Sequence, residues 1–183
     1  MNSSILQQKA NELVQRTGSR DIRVITENTG IQVSEMSFNS VLGFFSFRWD
    51  APMVLVNNHL NKQTKQMVCG YALSRYAEAH LFPEKSFFHK IGYIKPAHLL
   101  EYEANAFSSH LMLDSEEIYP LTQLGYNAAQ IAEHTKRHLH LILVKLLEMR
   151  RMGFDMTHYE DVHKDVHNNF MQNHTYLAHL AFD

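Results

Sequence analysis

Residues 65–81, KQMVCGYALSRYAEAHL, decide how the chain folds. Met67, Val68, Tyr71, Leu73, Tyr76, Ala77 and His80 recur at helical spacing, and no proline interrupts them before Pro83. The stretch therefore reads as a largely buried helix. Before it lies a strand-like run, Met53-Val54-Leu55-Val56-Asn57. After it comes a second helix carrying Glu101-Tyr102-Glu103-Ala104-Asn105. Strand, apolar helix, then acidic helix is the order around which the other elements are placed.

Working outward, Ser3 or Ser4 is positioned to cap a first helix through about Arg16, which Thr17-Gly18-Ser19 stops. Asp21 caps a second helix, Ile22 to Thr29, closed by Gly30. Three strands follow: Ile31 to Met36, Gly43 to Arg48 and Met53 to Asn57. Strands this close together predict a small, mostly antiparallel sheet. Asn61 caps the lead-in to the central helix. Residues 86–97 read as loop with short helical pieces, and the acidic helix as Ala97 to Leu113. Asp114 caps a short helix to Thr122; Ala128 to His134 and Lys136 to Met152 complete the helices, the last with Leu139, Ile142, Leu143, Leu146, Leu147 and Met149 at core spacing. The class is α+β and mainly helical. Residues 1–156 form one domain, and residues 157–183 a His-rich C-terminal tail or additional helix.

The 183 residues are 45% hydrophobic and 20% charged, a balance that builds a core. A formal net charge of −2 gives no general drive toward nucleic acid. Cys69 is the single cysteine, so no internal disulfide forms, as in a reducing compartment. Met1 to Gln15 lacks a signal-peptide pattern, and no apolar run reaches membrane-span length. These features predict a cytoplasmic protein.

Thirteen histidines raise the question of metal. His134 and His138, and His163 and His167, have the i, i+4 spacing of a helical pair. The second pair has Lys164 where a peptidase needs a glutamate beside the first ligand. A titratable surface explains these pairs more simply than a metal does. Cys69 falls at an apolar helix position, as an inert buried thiol would. Ala128 to Leu147 has the outline of a helix-turn-helix, which the net charge does not favour.

The ordered set Gly43-Phe44-Phe45, Met53 to Asn57, Val68-Cys69-Gly70, Leu100 to Phe107, His110 to Asp114 and Gly125 to Ala132 resembles the ImmA/IrrE family of metallopeptidases over about residues 20–155. The resemblance implies a zincin-like domain with a small three-stranded sheet. It also implies a His-Glu-x-x-His helix, where two imidazoles bind zinc, the glutamate polarises water, and a glutamate of the next helix completes the site. The matching positions here are Tyr71, Ala72 and Arg75, with Glu101 at the third-ligand position. Both imidazoles and the general base are missing, so no zinc or other cofactor is expected. An Arg75–Glu101 ion pair, with Tyr71 contributing a hydroxyl, is the expected replacement; the alternative has Arg75 in solvent and Glu101 on the surface. Active relatives cleave or inactivate a repressor encoded nearby. This chain is expected to work by binding protein as a phage or mobile-element regulator, with a repressor, an active peptidase relative or a host defence protein as partner. Two alternatives stand beside it: a phage-encoded inhibitor of host defence such as an anti-CRISPR protein, and a metal-dependent peptidase with a rearranged site using Glu101, Glu103 or the tail histidines. A homodimer through the apolar C-terminal helices is compatible with the sequence.

Overall fold

Helix α1 (Ser3–Thr17) begins one residue earlier than a serine cap would place it, because the Asn2 side chain accepts from the Ser4 amide. Helix α2 (Ile22–Thr29) has Asp21 as its N-cap, and Gly30 ends it at φ 71°, a conformation that favours glycine. The structure is a computed structural model and describes residues 2–39, 41–48, 51–79, 87–91 and 99–159. Among them the remaining elements are β1 (Gln32–Met36), β2 (Gly43–Arg48), β3 (Ala51–Asn57), α3 (Lys62–Ala79), β4 (Phe87–Ile91), α4 (Leu99–Met112), α5 (Ser115–Gln123), α6 (Ala128–Thr135) and α7 (Leu139–Arg151).

The three expected strands are all present, and β4 joins them where the sequence alone points to a loop. Phe87, Phe88 and Ile91 are strand formers, but a run of five residues beside Pro83 and Gly92 is too short to declare itself. The order is β1-β3-β2-β4, with β1 parallel to β3 and the other two pairings antiparallel. The chain skips a place after β1, and β3 returns to fill it. Alternation along β3 buries Pro52, Val54 and Val56 on one face. That face and Phe45 of β2 join the core to which Val68 and Leu73 of α3 belong.

Asn57 closes the sheet. Its fully buried amide donates to the carbonyls of Phe38 and Val41, both at 2.9 Å, and its side-chain oxygen accepts from the His59 amide at 3.1 Å. Asn61 caps α3 by accepting from the Thr64 amide and hydroxyl.

Helix α3 packs on α4, and α4 also meets α1 and α7. The α3–α4 contact is close because residue 70 is glycine. A Cβ there would lie 2.2 Å from Ser108 Oγ and 3.2 Å from Met112 Sδ. Helix α7 is buried from His140 to Met149, on every side. It therefore has no free face with which to lie in a DNA groove. Met156 and Tyr159 are buried in the same core. Among the described residues no helix is long and apolar enough to cross a membrane.

Candidate functional site

Tyr71 and Arg75 stand one helical turn apart on α3, so their side chains share a face. The Arg75 guanidinium donates to the Tyr71 hydroxyl at 3.1 Å and lies 5.2 Å from the centre of its ring. Tyr71 is buried, Arg75 is half-buried, and Ala72 is completely buried. This arrangement has the wrong chemistry for zinc. A protonated phenol that accepts a hydrogen bond from a cation is a very weak donor to metal, alanine supplies no donor, and a guanidinium has no lone pair to give. The residues at these positions do not fit a metal ion.

Glu101 lies in the first turn of α4, but its side chain is outside the described residues, and with it the expected Arg75–Glu101 pair. His163 and His167 also lie outside the described residues. His134 and His138 do not form a helical pair. Lys136 between them takes a left-handed conformation, φ 56°, which ends α6 and separates the two residues into different elements. His134 is exposed, whereas His138 is buried as the N-cap of α7, its Nδ1 accepting from the His140 amide at 3.1 Å. Burial holds the imidazole of His138 down to about 4, and burial together with neighbouring His138 holds that of His140 down to about 3. Burial pushes the Cys69 thiol up to about 12, so it stays protonated and inert. Among the described residues, no three His, Cys, Asp or Glu side chains gather as a metal would require.

On the opposite side of α3, Leu73, Tyr76 and Ala77 join Leu13 and Phe107 to form a groove of about 350 Å³. Lys9, Glu12 and Arg16 of α1 line its charged part. It faces away from the Tyr71–Arg75 side of the helix, since residues 71 and 73 are about 200° apart on it.

Among the described residues, the most concentrated polar chemistry is a cluster that sequence reasoning missed. His110 of α4 touches Glu148 and Lys145 of α7, and all three side chains are almost fully buried. Tyr102 donates to Glu148 Oε1, and Arg151 reaches the same oxygen at 3.4 Å while its guanidinium lies 4.5 Å from the Tyr102 ring centre. Arg20, in the loop before α2, donates to the carbonyls of His110 and Leu111 at 2.8 and 3.3 Å and pairs with Asp114 at 3.0 Å. The only signal in the sequence is spacing: Lys145 and Glu148 are three apart within the apolar run from Leu141 to Met149, an arrangement that also describes a solvated edge.

A four-stranded mixed sheet with α3 packed on it and α4 packed on α3 makes the class α+β and mainly helical. The sequence model described as the IrrE N-terminal-like domain, peptidase M78, matches residues 26–146. The chain belongs to this family, as the ordered motifs indicate. No curated protein matches the chain.

Proposed function

We propose that this chain is a non-catalytic member of its family, acting by protein binding as a regulator of a phage or mobile element. The observation that carries the proposal is the Tyr71–Arg75 contact on α3. At the positions that resemble the metal-binding histidines, one side chain donates a hydrogen bond to the other, and the cation belongs to the protein. Buried Ala72 at the position resembling the catalytic glutamate supports the same reading. A relative that keeps the scaffold without the chemistry retains a surface able to recognise the repressor that active members act on, or to engage an active member itself.

The test mixes the full-length purified chain with the repressor and with the peptidase encoded in the same element. The expected result is a stoichiometric complex on gel filtration in which both proteins keep their full length on prolonged incubation. Shortening of the repressor by this chain alone, stopped by a chelator, would overturn the proposal. A complex only with a host defence nuclease would keep the binding role and replace the partner.

A further inference from the structure

We propose that His110, Lys145 and Glu148 form an acid-sensitive latch between α4 and α7, in which His110 and Lys145 hold a single proton between them. The geometry carries this. Lys145 Nζ is 3.2 Å from His110 Nδ1, and His110 Nε2 is 3.2 Å from Glu148 Oε2. Two nitrogens at hydrogen-bond distance have room for one hydrogen between them. Either the Lys145 ammonium donates to a neutral imidazole, or an imidazolium donates to a neutral amine. In both arrangements Nε2 carries a hydrogen and donates it to Glu148, so this ring nitrogen is fixed while the proton between His110 and Lys145 is shared. A second proton places N–H against N–H in a site from which water is excluded.

The surroundings oppose that second proton. Facing the pair are Tyr102 on α4, Glu148 and Arg151 on α7, Arg20 in the loop before α2, and Asp114 at the N-cap of α5. The single proton, Arg20 and Arg151 bring three positive charges against the two carboxylates. A further proton widens that excess. Burial, with Arg20 adding repulsion, brings the Lys145 ammonium down to about 7, and burial likewise lowers His110 below its ordinary range. The sign follows. Each base binds protons more weakly in the folded state than unfolded, so stability falls as pH drops through the lysine window above about 7 and again below the ordinary histidine value. Glu148 is held below the usual carboxylate range by His110 and Tyr102 against the cost of burial, and adds a loss at lower pH.

The latch grips the face of α4 opposite the one that meets Gly70. Ser108 and Met112 point to α3, whereas His110 lies about half a turn away toward α7. Releasing it therefore frees α4 on one side only, leaving its contact with α3.

Two measurements on the full chain test the proposal. Nitrogen-15 spectra of His110 should show a hydrogen on Nε2 throughout the folded range. Amide exchange in α4 and α7, corrected for intrinsic rates, should accelerate by about tenfold or more between pH 7.5 and 5.5, since one differentially bound proton changes the opening equilibrium about tenfold per pH unit. Lys145→Met removes the competing base and should flatten or reverse this dependence. His138 and His140 titrate alike in both proteins, so the difference isolates the latch. Equal pH dependence in the two proteins would overturn the proposal. So would a His110 ring with its hydrogen on Nδ1 and none on Nε2, a result that needs no variant to fold.

Discussion

Gly70→Ala is the most exacting probe of how α3 sits on α4. Glycine inside a helix is ordinarily a weakness, and replacing it with alanine gains about 1 kcal/mol of helix propensity. Here the added methyl would be 2.2 Å from Ser108 Oγ and 3.2 Å from Met112 Sδ, with Ser108 fully buried. Methionine can bend away; Ser108 has little room to turn. Overpacking of this kind costs about 1–3 kcal/mol, so the net change is a destabilisation of about 0–2 kcal/mol instead of a gain. The double variant separates the terms. Ser108→Ala removes the oxygen and leaves a Cβ 3.3 Å from the new methyl, a tight contact that a few tenths of an ångström relieves. In that background Gly70→Ala should recover most of its propensity gain, giving a coupling of about 1–3 kcal/mol in a double-mutant cycle. Urea denaturation of the four proteins measures it, with thermal shifts of about 2–4 °C per kcal/mol at this size. A Gly70→Ala variant more stable than the parent by about 1 kcal/mol, with no coupling to Ser108, would refute the reasoning, because α3 and α4 would then not meet at residue 70.

Other consequences are as direct. Glu148→Ala strands Lys145, His110 and Tyr102 around a missing acceptor and should cost about 3–5 kcal/mol in chemical denaturation, far more than a surface glutamate. Asn57→Ala removes the donor for the Phe38 and Val41 carbonyls and should cost about 1–3 kcal/mol by the same measurement. The His138 ring is an N-cap only while its Nδ1 lacks a hydrogen. Its contribution is complete above about 6.5 and falls as pH drops toward about 4, so His138→Asn, which caps without titrating, should lessen acid sensitivity in this window. Cys69 in the native protein should resist alkylation at pH 8 and react fully once urea is added.

The chain order was legible because its signals are local. Gly18 and Gly30 stop helices where left-handed backbone is needed, Asp21 and Asn61 accept from amides two or three residues on, and the apolar run from Met67 to Leu73 is buried in α3. The motif order likewise reached the family. What stayed hidden depends on pairing across the chain. The strand at residues 87–91 exists through β2, which no property of five residues announces. The His110–Glu148 contact joins positions 38 apart, and a histidine in α4 looks alike whether it meets water or a carboxylate. Helical spacing also overstated His134 and His138, because one left-handed residue, Lys136, breaks the periodicity on which such a pair depends. At the candidate site, that Tyr71, Ala72 and Arg75 make a poor donor set for a metal follows from residue type alone. That Arg75 turns to the Tyr71 hydroxyl and ring required the structure.

The central claim, that this scaffold has exchanged metal chemistry for binding, is tested most directly by metal analysis of the full-length protein. Purified without chelator, loaded with excess zinc and exhaustively dialysed, it should retain zinc well below one equivalent, and Glu101→Ala should leave that residue of metal unchanged. One equivalent of zinc that survives dialysis and is lost on Glu101→Ala would contradict the claim and return the chain to the metal-dependent peptidases.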